Sequence, residues 1–295
     1  MKTELWRITK LGEQPRYSWQ QAAERWVLEK DGEKATLHDD KAQLRWVHPY
    51  LGELYLDEVN RDLIDQITLA RLKTGVKHST VNRMLAVIRA ILKRAEKDWE
   101  WLIKAPHIRL LPEAKKRVRW LTQEEAERLL AALPDYLADM MRFTLATGLR
   151  ESNVTGLQWS QLDLKRECAW IHPDQAKARK AIPVPLNADA LLVINAQVGK
   201  HNEFVFSYKG NKVRNASNHT WRKTLKRLGI VDFRWHDLRH TWASWHIQQG
   251  TPLHVLQELG GWAGPEMVQR YAHLSADHLK VYADQLAWEK SAGSN

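Results

Sequence analysis

The 295-residue sequence contains little cysteine and no long apolar run. Cys168 is its one cysteine, which excludes an internal disulfide and argues against a disulfide-stabilised secreted domain. The sequence has no run of 18 apolar residues, the length needed to cross a bilayer. Its N-terminus also lacks the charged region followed by an apolar region that is typical of a signal peptide. These absences predict a cytoplasmic protein with no membrane partner.

Acidic residues are outnumbered by basic ones. The chain has 45 Lys and Arg against 35 Asp and Glu, a formal charge of +10 and a pI near 9.6. A charge of this sign and size indicates a polyanionic partner. The hydrophobic fraction of 44% is enough for packed cores, so a disordered chain is excluded, and the length suits two domains.

Helical periodicity dominates the first hundred residues. Apolar stripes predict helices over residues 17–30, 37–51, 60–73 and 79–99, the second stopping near Pro49, and together they predict an all-helical domain over residues 1–103. Around the start of the fourth helix, Lys77, Asn82 and Arg83 are candidates to touch DNA phosphates or base edges. A capped, solvated first turn is the alternative.

Residues 104–119, KAPHIRLLPEAKKRVR, break this periodicity. Two prolines and six Lys or Arg against one Glu predict a basic linker. Lys115, Lys116 and Arg117 are expected to lie along a phosphate backbone, and the alternative is an ordinary solvated linker.

A second domain is predicted over residues 120–275. Thr122 starts a capping box, and residues 136–147 form a buried helix that ends at Gly148. Two strands, 168–172 and 181–184, form a hairpin with a lysine-containing tip, and helices follow over 187–197 and 217–228. The C-terminal segment 276–295 contains an apolar-striped helix that docks either on its own domain or on a neighbouring protomer.

Residues 236–273 concentrate polar side chains that suit catalysis. His236, Arg239 and His240 are three and four residues apart, so they share one face of a helix. Two further helices follow, and a short one over 265–274 carries Tyr271. Upstream, Arg150 follows a helix stop in apolar surroundings, where a guanidinium is expensive without an anionic partner, and an ion pair with Asp163 is the structural alternative.

Four segments carry a family resemblance: TGLR ending at Arg150, HDLRH from His236, LGGW ending at Trp262, and QRYAH around Tyr271. Together they resemble the signature of the tyrosine recombinases, the phage integrase family. The resemblance implies a mainly α fold with a small β-hairpin, in which an N-terminal helical core-binding (SAM-like) domain precedes a tyrosine-recombinase catalytic domain. It implies site-specific DNA recombination, with prophage integration and excision as the expected role.

The resemblance also implies a role for each motif residue. Tyr271 would attack a phosphodiester to form a 3′-phosphotyrosine, and Arg150 and Arg239 would stabilise the non-bridging oxygens. Lys177, on the hairpin, would protonate the leaving 5′-oxygen, His236 would shuttle the tyrosine proton, and Trp262 would donate one N–H. No metal or other cofactor is implied. The expected partners are double-stranded DNA at attachment or core-type sites, further copies of the chain forming a tetramer on DNA, and accessory DNA-bending or directionality factors.

Three features depart from the family pattern. Trp262 stands where many members have a titratable histidine, and Asn153 stands where an acidic residue is often found. Residues 2–14 resemble the connector that follows an arm-binding domain, and no room remains for that domain. Three other functions are less well supported by the sequence. HDLRH superficially resembles the HExxH motif of zinc proteases, and the charge and helices would also suit a DNA-binding protein without catalysis. The nearest alternative is a type IB topoisomerase.

Overall fold

The computed structural model describes residues 15–113, 118–172 and 181–275, together with Asp284. The chain divides into two compact units, residues 1–116 and 117–295. Each unit has its own hydrophobic core, so the two are considered separately. Within the described ranges, no helix combines the length and the apolar character needed to cross a membrane.

The first unit is helical, and its boundaries follow local capping signals. Ser18 begins α1 with a capping box completed by Gln21, and Asn60 caps α3 through a bond from the backbone N–H of Leu63. The second helix continues past the predicted stop at Pro49 and ends two residues later, at Leu51. The helices are α1 (Trp19–Lys30), α2 (Leu37–Leu51), α3 (Arg61–Lys73) and α4 (His78–Lys97).

Part of the segment predicted as a linker packs on the first unit. Ala105 and Ile108 are buried in its core, and Leu111 packs against that core. Asn82 of α4 fixes the chain beyond them, since its amide donates to the carbonyl of Leu111 and accepts from the Leu111 N–H, at 2.9 and 2.8 Å. The basic composition of residues 104–119 hides these few apolar contacts, which is why the sequence predicts a linker over the whole segment.

The second unit combines helices with two small antiparallel sheets. Its helices are α5 (Gln123–Ala132), α6 (Asp135–Thr147), α7 (Glu151–Thr155), α8 (Ala188–Gln197), α9 (His219–Arg227), α10 (Asp237–Gln248), α11 (Leu253–Gly260) and α12 (Glu266–Gln269). Its strands are β1 (Leu162–Asp163), β2 (Cys168–Ile171), β3 (Ile182–Pro185), β4 (Ser207–Tyr208) and β5 (Asn211–Lys212).

The predicted hairpin is present as β2 and β3, with Ala169 opposite Val184. The sheet also includes β1 on the other edge of β2, and β4 pairs with β5. The tip that contains Lys177, residues 173–180, lies outside the described residues, as does the predicted C-terminal helix apart from Asp284.

Helix α10 is the central element of the second unit. It packs against α6, α11 and the 3-10 turn Ala272–Ser275. It also contributes Trp242 and Ile247 to a smaller apolar cluster, in which Leu256 and Tyr271 are also buried. The predicted third helix is therefore two short turns, with Tyr271 between α12 and Ala272–Ser275.

Candidate active site

Arg150 is placed by a helix end that only glycine can make. Gly148 ends α6 with φ at 65°, and a Cβ there would lie 2.3 Å from the Trp242 ring. The chain then turns so that Arg150 comes directly before α7. No carboxylate among the described residues pairs with the Arg150 side chain, and Asp163, the alternative partner, instead lies 3.7 Å from Arg166. Partial burial lowers the pKa of Arg150.

Arg239 joins three of the sequence motifs. Its side chain lies on α10 in a residue that is 4% exposed, and its Nη1 donates to the Gly148 carbonyl at 2.5 Å. Its Nη2 donates to the carbonyl of Gly260. The guanidinium also lies over the ring of Trp262, 4.2 Å from the centroid. One side chain of HDLRH thus holds the TGLR and LGGW segments together.

The two arginines form a concentrated positive charge. Burial, followed by repulsion from Arg150, lowers the pKa of Arg239 to about 9. Arg239 therefore remains protonated at neutral pH while being held beside a second cation at an energetic cost. An anion bound to both guanidiniums would relieve that cost.

Tyr271 lies against the same group and is 1% exposed. Its hydroxyl oxygen is 2.5 Å from Nδ1 of His240, and its ring centroid is 6.1 Å from that of Trp262. Burial raises the pKa of Tyr271 to about 12 and outweighs the lowering effects of Arg239 and Arg270. In this conformation loss of hydration therefore acts more strongly on the phenol than the neighbouring positive charges do.

His236 occupies the position before α10 and is exposed. Its ring meets the ring of His240 edge to face, with centroids 5.3 Å apart, while the His240 and Tyr271 centroids are 5.8 Å apart. His240 therefore lies next to the phenol, where the sequence interpretation had placed His236.

Comparison with known proteins identifies the family. Residues 119–278 match the sequence model of the phage integrase family. The integrase of Salmonella phage P22 is 40% identical over 97% of this chain and 84% of its own length. The chain belongs to the phage integrase family. A second relative, the integrase of Escherichia phage 186, is 28% identical over 83% of this chain and 75% of its own length.

Solved structures show the same fold at lower identity. The Tn1549 transposon integrase in complex with transposon right end DNA has a TM-score of 0.77, at 18% identity over 92% of this chain and all of that one. A lambda integrase dimer bound to a core site has a TM-score of 0.72, at 16% identity over 98% of this chain and 87% of that one. The mainly helical fold expected from the resemblance is therefore confirmed.

The family match contains every residue predicted to be catalytic. The structure brings together Arg239, Trp262 and Tyr271 by direct contact, and Arg150 joins them through its charge. Lys177 lies outside the described residues. Trp262, which was expected to donate an N–H, presents its ring face to Arg239.

The residues predicted to contact DNA fall into three groups. Lys77 and Arg83 are exposed on the first unit. Asn82 is 7% exposed, and its amide also donates to Glu113 at 2.7 Å, so contact with DNA would require these internal bonds to break. Lys115, Lys116 and Arg117 lie outside the described residues.

The sequence interpretation gave no role to His240. The available signal was its spacing, one residue after Arg239 and four after His236, which places it on the same helical face. Its contact with Tyr271 spans 31 residues, and no local pattern predicts such a pairing.

Proposed function

We propose that this chain is a site-specific DNA recombinase that cleaves and rejoins DNA through a 3′-phosphotyrosine intermediate, in phage integration and excision. The observation that carries the proposal is the set of contacts made by Arg239. This guanidinium holds Gly148, two residues before Arg150, and Gly260, two residues before Trp262, while Trp262 lies beside Tyr271. Two cations and a phenol are thereby gathered at one place.

The two guanidiniums suit a phosphodiester under attack. Negative charge grows on the non-bridging oxygens in the transition state, and preorganised donors stabilise it there. Guanidiniums donate in a planar fork that matches two phosphate oxygens. We assign this role to Arg150 and Arg239. The ring of Trp262 packs against the guanidinium of Arg239 and holds it in position.

Tyr271 is the proposed nucleophile. Its oxygen would form a bond to phosphorus as the bond from phosphorus to the 5′-oxygen breaks, and the 5′-oxygen would leave as a hydroxyl. The covalent intermediate keeps the energy of the phosphodiester, so a second 5′-hydroxyl can reverse the step without a nucleotide or a metal ion. Because Tyr271 is 1% exposed, DNA binding has to open access to its hydroxyl.

Two further residues complete the proposed chemistry. Lys177 would donate the proton to the leaving 5′-oxygen, since a lysine near two arginines has a lowered pKa and gives up its proton more readily. His236 is exposed at the start of α10, next to Arg239 in the helical turn, where it can donate to the phosphate.

DNA binding involves both units in this proposal. Lys77 and Arg83 on the first unit would contact phosphates, as would Lys115, Lys116 and Arg117 in the segment that joins the units. We assign residues 1–103 to core-site binding, 120–275 to catalysis and 276–295 to docking on the same or a neighbouring protomer. Lambda integrase, of similar fold, has been solved as a tetramer bound to a Holliday junction, which supports assembly of this chain into a tetramer on DNA. Accessory bending or directionality factors would set the direction of the reaction.

The test is covalent capture of DNA by the full chain. Nicked duplexes that tile the DNA flanking its gene are incubated with the protein, and adducts are resolved on a denaturing gel. The nick releases a short strand, so the reaction cannot reverse. We expect one duplex to give a protein–DNA band with the wild type and none with Tyr271→Phe, which should still bind that duplex. Absence of any wild-type band, or a band that persists in Tyr271→Phe, would overturn the proposal.

A further inference from the structure

We propose that His240, rather than His236, receives the proton of the Tyr271 hydroxyl when the tyrosine attacks DNA. The inference rests on the proposed function, and it assigns a catalytic residue that the sequence motif does not single out. It begins with the contact itself, since Nδ1 of His240 lies 2.5 Å from the phenol oxygen. Among the described residues, no other hydrogen-bond partner of that oxygen is found.

The position of His240 along α10 supports this role. It directly follows Arg239, which is held rigidly by two backbone carbonyls and a tryptophan ring. Arg239 also acts electrostatically on Tyr271, so the hydroxyl held by His240 is already close to that guanidinium. A phosphate bound to Arg239 would thus lie close to the phenol oxygen while that oxygen is still hydrogen-bonded to His240. This requires the residues that cover the Tyr271 hydroxyl to move away.

The protonation states suit transfer in this direction. Burial, followed by repulsion from His236, lowers the pKa of His240 to about 4, so its ring is neutral at physiological pH. A neutral imidazole with its hydrogen on Nε2 has a free lone pair on Nδ1 and can accept the phenol proton. The titratable and charged groups that face His240 are His236, just before α10, Asp237 and Arg239 on α10, and Arg270 from the neighbouring turn.

The proposed step is balanced. The O–H proton of Tyr271 moves to Nδ1 of His240 while the phenol oxygen bonds to phosphorus. The electron pair of the breaking bond leaves with the 5′-oxygen, which takes its proton from a separate acid. In the reverse step a 5′-hydroxyl attacks phosphorus, and the phenol oxygen recovers its proton from His240. In the transition state the phosphate carries close to two negative charges. This negative charge near His240 would raise the pKa of His240 and favour its transient protonation.

Three variants separate proton transfer from positioning. His240→Asn places an amide oxygen near the Nδ1 position and keeps a hydrogen bond to the phenol, but it cannot accept a proton. His240→Phe keeps an aromatic ring and removes the bond as well. His240→Ala leaves space for imidazole supplied in solution. The duplex captured by the wild type is the probe, and thermal melting and DNA affinity report whether each variant is folded.

The rate of adduct formation is followed in a single turnover between pH 6 and 9. A lost general base slows such a step by roughly 100-fold or more, so we expect that loss at pH 7 in His240→Asn and His240→Phe with DNA affinity unchanged. The wild-type rate should be nearly level with pH, whereas the His240→Asn rate should climb with pH because hydroxide then removes the proton. Imidazole should restore part of the rate to His240→Ala.

The outcomes test the role of His240 separately from the proposed recombinase function. If the wild type forms the adduct and His240→Asn forms it as fast and with the same pH profile, the role of His240 is overturned and the recombinase proposal stands. Faster cleavage by the variants would show that His240 restrains Tyr271, which also overturns the inference. If no duplex is captured by the wild type, the proposed function and the role of His240 fall together.

Discussion

Arg239 and Arg150 carry the same charge but are held in different ways. Arg239 is 4% exposed and donates to the carbonyls of Gly148 and Gly260, both in buried residues. Arg150 is half-buried and has no carboxylate partner among the residues described. The structure therefore uses Arg239 to hold the site together, while the Arg150 side chain is left with donors for a substrate.

Replacement of each arginine by lysine should separate these two properties. In Arg239→Lys one ammonium cannot serve two carbonyls on opposite sides, so a buried acceptor loses its partner, at a cost of about 1–3 kcal/mol. Arg150→Lys should change the free energy of unfolding by less than about 0.5 kcal/mol, because it breaks no bond of this kind. Both should slow adduct formation by roughly 100-fold or more. Urea unfolding and single-turnover cleavage measure the two effects, and equal stability losses in the two variants would contradict this division.

Residue types could be predicted from the sequence better than their contacts could. Arg150, Arg239, Trp262 and Tyr271 were recognised from the resemblance of their motifs to the family signature, and the structure gathers them. The partners of His240 and Asn82 could not be predicted, because each lies about 30 residues away and depends on how the chain folds back. The raised pKa of Tyr271 could not be predicted either, because burial is not visible in a motif.

Two glycines allow aromatic rings to approach the elements that carry the site. A Cβ at Gly148 would lie 2.3 Å from Trp242, and one at Gly260 would lie 2.2 Å from Trp262. The planes of the two rings are tilted by 36°, and their centroids are 6.0 Å apart. The ends of α6 and α11 are thereby brought close enough to α10 for Arg239 to reach both carbonyls.

Gly148→Ala should destabilise the second unit more than Gly229→Ala does. Both glycines have positive φ, 65° and 68°, so both substitutions carry a backbone penalty of roughly 1–2 kcal/mol. Nothing lies within 4 Å of a Cβ at Gly229, whereas at Gly148 the overlap with Trp242 should add about 1–3 kcal/mol. Urea midpoints of the two variants provide the comparison. Equal midpoints would mean that the Trp242 ring moves aside without cost.

Elements with local end signals were predicted well. The capping box at Thr122 and the left-handed end at Gly148 appear in the structure where the sequence indicates them. The strands β1 and β5 have only two residues each, too few for an alternating pattern to identify them. The short turns around Tyr271 look like one helix in sequence because their apolar spacing continues across the break.

At the scale of the whole molecule, each unit has a separate core, and the boundary of the first can be tested with fragments. A fragment of residues 1–116 contains Ala105 and Ile108, which are buried in that core, and the Asn82 bonds to Leu111. A fragment of residues 1–103, which ends where the sequence predicts the linker, lacks them. Burial of one isoleucine contributes roughly 1.5–3 kcal/mol and each hydrogen bond about 1 kcal/mol. The longer fragment should therefore be more stable by about 3–5 kcal/mol in urea unfolding.

Asn82→Ala provides the matched control for the fragments. It should lower the stability of the 1–116 fragment by about 1–3 kcal/mol and leave the 1–103 fragment nearly unchanged, since its partners are present only in the longer chain. A similar loss in both fragments would show that Asn82 acts within α4 itself. In that case the segment after residue 103 would contribute little to the fold.

The way in which Arg239 is secured has a consequence for the protein's charge balance. Its anchors are peptide dipoles, which orient a guanidinium but leave its full unit of charge uncompensated. A carboxylate in the same place would have fixed the side chain equally well and would also have competed with any incoming anion. Because its anchors are neutral, Arg239 is fixed in position but keeps its positive charge, which the phosphates of a nucleic acid can then neutralise.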